Sequence, residues 1–265
     1  MDRYKLENKA AWEEAFERRD DAWCADLERR LAEDGLPFVE PPAAEALRAL
    51  GARNKAIGHF CCNNGRELMS LMRLGYRRGY GFDLAENMVA FANAAAERLG
   101  LACEFVACDA AALAPRFASS LDIAYISIGA LCWFEDLGPL FSSVAGAMKP
   151  GAALVVSEVH PFTNMLAAPG EPGYDPERPS NFVNPYYSKV WLEDGGMPYM
   201  TGGSYASKTF TSFSHPLSSI LNAAAGAGLR LRRFDEFDYD ISSGMFAALD
   251  GKGAPLSYLL VAEKS

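Results

Sequence analysis

The stretch Lys55-Ala56-Ile57-Gly58-His59-Phe60-Cys61-Cys62-Asn63-Asn64-Gly65-Arg66-Glu67-Leu68 decides the fold. Lys55 to Phe60 is a short strand-like run, Cys61 to Gly65 is a turn-rich cluster, and Arg66 to Leu74 has the spacing of a helix. A strand that feeds a helix through such a turn lets a ligand approach the backbone, because the start of the helix offers unpaired N–H groups. The turn by itself is an incomplete fingerprint: Gly65 is its only glycine, and Cys61 and Asn63 stand where glycines are expected. Asp83 completes it. It closes the next strand-like run, Gly79 to Phe82, and lies 18 positions beyond Gly65. That is close to the roughly 20 residues that put an acid at the end of a second strand, where a carboxylate accepts both hydroxyls of a ribose. The plainer role for Asp83 is to cap the helix that follows.

Outward from this unit the alternation continues. Glu86 to Leu99 is an Ala-rich helix stopped by Gly100, and Cys103 to Ala107 is a third strand closing at Asp109. Asp109 repeats the logic of Asp83 one strand later: it either reaches an adenine amino group or caps the turn Ala110 to Leu113. Leu121 to Ser127 is apolar throughout, as for a strand buried on both faces. Trp133 to Met148 reads as a helix, and Ala152 to Val159 as a fifth strand. A helix from Pro216 to Ala225 and two strands, Leu229 to Asp240 and Leu256 to Glu263, close the chain with an antiparallel edge. Upstream, Asn8 to Leu31 has helical spacing, and a shorter helix runs from about Ala43 to Leu50. The expected fold is α/β: a Rossmann-like, doubly wound, mostly parallel sheet of seven strands with an antiparallel edge strand and a helical N-terminal cap.

Between His160 and Ser214 the regularity breaks into a Pro- and Gly-rich segment with many aromatics. Long irregular insertions in a compact domain are usually functional. The division expected is a cap over 1–53, a ligand-binding core over 54–160, a lid over 161–214 and the rest of the sheet over 215–265.

The chain has 265 residues and a net charge of -9, with 25 basic and 34 acidic residues. Hydrophobic residues at 50% and charged residues at 22% describe a folded globular protein. The acidic balance lacks the electrostatic footprint of nucleic-acid binding. No apolar run approaches the roughly 20 residues that span a bilayer, and the N-terminus has no export signal, so neither membrane nor secretion is expected. In a cytoplasmic setting the six cysteines, Cys24, Cys61, Cys62, Cys103, Cys108 and Cys132, are expected as reduced thiols. None forms a C-x-x-C pair and there are three histidines, so no metal site is expected.

The series Cys61 to Gly65, Gly81-Phe82-Asp83, Cys108-Asp109, Leu121 to Tyr125 and Met148-Lys149-Pro150-Gly151-Ala152 resembles the class I S-adenosylmethionine-dependent methyltransferases, over about Asn54 to Glu158. His59-Phe60-Cys61-Cys62-Asn63-Asn64-Gly65 is similar to a bacterial subgroup with histidine in place of the first-motif acid, as are Ser157 to Phe162, Gly203-Ser204-Tyr205 and Ser214 to Leu217. The resemblance implies S-adenosylmethionine as cofactor. Gly65 and the backbone of Cys61 to Asn64 would then run beside the methionine part. Asp83 would hold the ribose, Phe82 or Leu84 would lie against the adenine, and Asp109 and Ala110 would meet its edge. Ser127 to Gly129 would face the sulfonium and the substrate. His59 stands in for the acid among the cofactor-binding candidates, a departure from the usual water-mediated support of the cofactor's amino group. NAD fits less well, because the glycines depart further from G-x-G-x-x-G.

His160 follows the fifth strand, where ligands sit in open α/β sheets, and is the candidate general base, with Tyr205 as a second catalytic candidate. A hydrogen-bonded hinge histidine before Pro161 is the plainer role for His160. Trp133, Tyr186, Tyr187 and Trp191 are the lid and substrate candidates, suited to a sulfonium cation or a flat acceptor, or else a small satellite core. The function expected is methyl transfer to oxygen or nitrogen of a small molecule. The alternatives are a cyclase or lyase that uses the aminobutyl group and releases methylthioadenosine, and a non-catalytic cofactor-binding subunit.

Overall fold

Five strands alternate with helices before the chain leaves its regular rhythm. In the computed structural model, which describes residues 2–33, 35–187 and 189–265 (of Ala22 and Cys24 only the backbone), these are β1 (Ala56–Phe60), β2 (Arg78–Asp83), β3 (Cys103–Ala107), β4 (Leu121–Ile126) and β5 (Met148–Val159). An excursion carries a separate hairpin, β6 (Val190–Glu193) and β7 (Phe210–Phe213), before β8 (Leu229–Phe237) and β9 (Ser257–Lys264) finish the main sheet. The order is β3-β2-β1-β4-β5-β9-β8, with β1 to β5 parallel. The antiparallel strand is β9, which lies between β5 and the edge strand β8. The strand order reverses between β1 and β4, so the crevice for a ligand opens at their carboxyl ends.

The helices are α1 (Arg3–Glu17), α2 (Asp21–Ala25), α3 (Leu27–Ala32), α4 (Pro41–Leu50), α5 (Arg66–Leu71), α6 (Glu86–Arg98), α7 (Leu137–Ala147), α8 (Pro198–Thr201) and α9 (Leu217–Gly226). Both faces of the sheet are covered. Phe60, Phe82, Leu121, Phe141 and Leu154 belong to one layer, and Ile57, Leu68, Leu71, Ile123 and Tyr125 to the other. Each of these fully buried apolar side chains contributes roughly 1.5–3 kcal/mol. The two-residue period of β1 puts Phe60 into the first layer and Ile57 into the second. Gly58 faces the first layer, where a Cβ would come within 2.5 Å of Leu121 Cδ1.

Three elements differ from the reading of the sequence. The helix expected from Asn8 to Leu31 is broken after Glu17, because the Arg19 guanidinium caps Phe16 O at 2.6 Å and Asp20 N–H turns away to Met200 O at 2.9 Å. Trp133 closes a short 3-10 turn, and the following helix starts only at Leu137, where Asp136 caps Gly138 N–H at 2.8 Å. Met148-Lys149-Pro150 opens β5 instead of ending that helix.

Candidate functional site

The loop from Cys61 to Gly65 takes a glycine-loop backbone with few glycines. Cys61 (φ 56°), Asn63 (φ 52°) and Gly65 (φ 78°) are all left-handed. A non-glycine residue gives up roughly 1–2 kcal/mol there, least for Asn. Gly65 has a second constraint, since a Cβ would sit 2.4 Å from Phe105 Cε1. The strain at Cys61 and Asn63 is offset by the hydrogen bond from Asn63 N–H to Asp83 Oδ2, 2.7 Å, and by Cys62 N–H donating to Phe82 O, 3.0 Å.

Asp83 accepts Asn63 N–H on one oxygen and Ala85 N–H, at 3.0 Å, on the other. It therefore braces the start of α6, the plainer of its two expected roles, from its place at the end of β2. Burial pushes its carboxyl up to about 6, against the pull of the Ala85, Asn63 and Leu84 amides. Asp109 differs. Its Oδ1 accepts Ala111 N–H at 2.9 Å, while its Oδ2 is taken by Lys5 Nζ of α1 at 2.8 Å. Phe82 is not at the mouth. It packs between Phe60 and Phe117, ring centroids 5.0 and 4.9 Å away, because the pleat turns it to the face opposite its neighbours Gly81 and Asp83. That leaves half-buried Leu84 as the apolar candidate, and the Ala110 side chain also lies in the core.

At the ends of β1 and β4 lies a buried polar network. Ser127 Oγ donates to Glu67 Oε2 at 2.8 Å, and His59 Nε2 lies 3.0 Å from Ser127 Oγ and 3.3 Å from Glu67 Oε2. His59 stacks on Tyr125, centroids 4.9 Å apart, and burial pushes its imidazole down to about 3. Glu67 was not singled out in the sequence; an acid two positions after the last glycine of the turn was the available signal.

Glu158, at the end of β5, was also missed as a site residue. Its carboxylate gathers the N–H groups of Gly129 (2.8 Å), Ala130 (3.1 Å), Leu131 (3.4 Å) and Val159 (2.8 Å), and burial raises it to about 7 against these amides. Gly129, left-handed at φ 80°, thus spends its N–H on Glu158.

A cap closes over this edge. Asn8 of α1 donates to Thr211 O at 2.8 Å and accepts Thr211 N–H at 2.7 Å, so its amide completes the edge of β7 as a strand would. Trp12 meets Trp133 and Phe210 edge-on at 5.3 and 5.4 Å. The Tyr199 hydroxyl of α8 lies close to the Asn63 side chain, which brings the insertion onto the glycine-like loop.

The catalytic candidates are otherwise engaged. His160 Nδ1 accepts Phe162 N–H at 3.0 Å, capping a 3-10 turn, and its Nε2 lies 3.0 Å from Glu236 Oε1 of β8. Burial lowers its imidazole, against the opposing pull of Glu236. Tyr205 packs on Gly196 and under the Arg18 guanidinium, 4.8 Å from its ring, at the end of α1 remote from Lys5. Of the four lid aromatics, Trp133 joins the cluster over the sheet edge. Tyr186 accepts Leu217 N–H on its hydroxyl oxygen at 3.1 Å, Tyr187 is 72% exposed, and Trp191 carries Lys189 Nζ 3.4 Å above its ring. Cys61, Cys62, Cys103, Cys108 and Cys132 are free thiols; the Cys24 side chain lies outside the described residues. Among the described residues, no helix is long and apolar enough to cross a membrane.

The comparisons with known proteins agree with this architecture. Residues 59–156 match the family model of the methyltransferase domain. No curated protein matches the chain in sequence. Among solved structures, an S-adenosylmethionine-dependent methyltransferase from Mesorhizobium loti superposes with a TM-score of 0.64 at 23% identity, covering 87% of this chain and all (100%) of that one. Geranyl diphosphate C-methyltransferase from Streptomyces coelicolor A3(2), in complex with Mg2+, geranyl diphosphate and S-adenosyl-L-homocysteine, gives 0.63 at 14% identity over 100% of this chain and 99% of that one. At these identities the likeness is one of fold. Residues 59–156 are thus similar to the methyltransferase domain, and the sheet with its strand order and β1–α5 turn has the fold of the S-adenosylmethionine-dependent methyltransferases.

Proposed function

We propose that the chain binds S-adenosylmethionine along the carboxyl ends of β1 to β4 and transfers its methyl group to a small-molecule acceptor held under the cap. The observation that carries this reading is Asp83. It stands at the end of β2, braced by the left-handed loop through Asn63 N–H, with carboxylate lone pairs left for the two hydroxyls of a ribose. The residues fit the cofactor in other ways. Leu84 offers an apolar contact, the Cys61–Gly65 loop presents backbone, and acidic side chains suit a cationic ligand. When bound, the cofactor supplies an electrophilic methyl on a sulfonium for in-line displacement. The chain's part is alignment and exclusion of water, for which α1 and the 161–214 insertion form one aromatic-lined cover.

An oxygen or nitrogen acceptor remains the reading, with carbon as the alternative that the geranyl diphosphate C-methyltransferase brings in by its fold. His160 Nδ1 already accepts Phe162 N–H, and its Nε2 faces Glu236 Oε1 at 3.0 Å, which favours acceptors that need no strong base. Calorimetry with S-adenosylhomocysteine tests the cofactor. Asp83→Ala should weaken binding by about 2–3 kcal/mol, as for loss of a charge-assisted pair, and an unchanged Kd would overturn the assignment. Binding should also weaken as pH falls through about 6, because protonating Asp83 replaces an acceptor by a donor; in Asp83→Asn that dependence should vanish. Mass spectrometry of the nucleoside product tests the chemistry: S-adenosylhomocysteine supports methyl transfer, and methylthioadenosine would move the reading to the aminobutyl group.

A further inference from the structure

His59 occupies the place where the resemblance expects an acid, and the structure sets a carboxylate beside it from a different element. The protons of the network decide how that carboxylate is held. The hydroxyl of Ser127 has one proton, and it goes to Glu67 Oε2 at 2.8 Å. His59 Nε2, 3.0 Å from the same hydroxyl oxygen and 3.3 Å from Glu67 Oε2, must then carry a proton too, since a bare nitrogen there would set lone pair against lone pair. His59 is wholly buried and its Nδ1 has no partner, so the imidazole is neutral, protonated on Nε2. The Ser127 hydroxyl therefore holds Glu67 Oε2, His59 Nε2–H braces that hydroxyl from 3.0 Å and stands 3.3 Å from the same oxygen, and no hydrogen bond occupies Oε1 among the described residues. The side chain is 16% exposed, neither sealed in the core nor free in solvent.

The place is as informative as the bonding. Asp83 ends β2, and the ribose reading puts the nucleoside there. A tail leading from it across the Cys61–Gly65 loop reaches the junction of β1 and β4, where Ser127 and Glu67 meet. The local charge favours a cation. Glu40 and Glu67 bear on one another, and Arg66, the cation that acts on Glu67, is drawn to the rings of Trp23 and Phe38 at 5.3 and 5.6 Å. A carboxylate with one oxygen fixed and the other uncommitted, in a negative and partly desolvated setting, is a receptor for an ammonium.

We infer that Glu67 of α5 is the anchor for the α-ammonium of the cofactor's methionine part, with Ser127 and His59 as the positioning residues that hold its carboxylate. The anchor has moved from the first strand to the helix after it, and the histidine has become a neutral strut. This rests on the cofactor reading above.

The test measures two ligands on the full chain by calorimetry: S-adenosylhomocysteine, and the same thioether with its α-amino group replaced by hydrogen. The wild type should prefer the amino compound by about 10- to 100-fold, the range of a charge-assisted hydrogen bond. Glu67→Gln keeps shape and the contact with Ser127 but removes the charge; it should lose that preference by weakening the amino compound alone. Because the ratio is read on one protein at a time, a general loss of folding moves both ligands and leaves the ratio intact. Equal affinities in the wild type, or an undiminished ratio in Glu67→Gln, would overturn the assignment while the cofactor reading stands. No binding of S-adenosylhomocysteine to the wild type would overturn both.

Discussion

The two ends of the sheet's carboxyl edge spend their acids differently. At β2 and β3, Asp83 and Asp109 each accept backbone N–H groups of the following turn and keep lone pairs toward the crevice, although Lys5 lays claim to Asp109. At β5, the Glu158 carboxylate is consumed by four amides, three of them from the loop after β4, and His160 beside it spends its Nδ1 on Phe162 N–H and turns its Nε2 toward Glu236. One side leaves carboxylate lone pairs open at the crevice, and the other uses its own to hold loops still. On the reading proposed above, catalysis by positioning uses both, a fixed nucleoside on the first side and a rigid wall for the acceptor on the second.

The largest effect that would break this contrast is at Glu158. Glu158→Ala leaves the buried N–H groups of Gly129, Ala130 and Leu131 without an acceptor, and each such group costs about 1–3 kcal/mol. A net loss of about 3 kcal/mol should lower Tm by roughly 6–12 °C in a chain of this size. Thermal melting that moves by less than a degree or two would mean that the loop stands without its carboxylate.

A smaller effect sharpens the contrast at Lys5. Both partners of the Lys5–Asp109 pair are largely buried, with side-chain exposures of 14% and 16%. If Lys5 competes with an adenine amino group for the same oxygen, Lys5→Ala should tighten S-adenosylhomocysteine binding several-fold, about 1 kcal/mol, while weakening the hold of α1 on the sheet edge. Weaker binding in the variant would show instead that α1 helps to form the adenine site.

Much of this was legible in the sequence for a physical reason. Strands buried on both faces are apolar runs, and a turn between strand and helix is marked by Asn and Gly, so β1 to β5 and the Cys61–Gly65 loop follow from composition at short range. Asp83 was legible because it closes such a run. The cap was not. Asn8 and Thr211 lie 203 positions apart, and Lys5 and Asp109 lie 104 apart; no periodicity links them. The break in the first helix has the same origin, since Asp20 is drawn to Met200 of the insertion. Phe82 was placed at the adenine by analogy, whereas the pleat of β2 sends it into the core.

The smallest expected effect concerns His160, the residue whose type and place most invite a catalytic role. A general base must present a lone pair to the acceptor's proton. In His160 the Nδ1 lone pair already accepts Phe162 N–H, which makes Nε2 the protonated nitrogen, and that one faces Glu236. The geometry is that of a cap on the turn from Pro161 to Met165. Asn caps by the same logic with a shorter amide, so His160→Asn should keep turnover within about threefold of wild type and Tm within a few degrees, whereas His160→Ala should lose about 1 kcal/mol of stability, as caps do. General-base catalysis is typically worth about 10²–10⁴-fold. A fall of that size in His160→Asn, at unchanged Tm and unchanged cofactor affinity, would show that the turn opens during catalysis and frees Nδ1, and the wall at β5 would then be a working part of the chemistry.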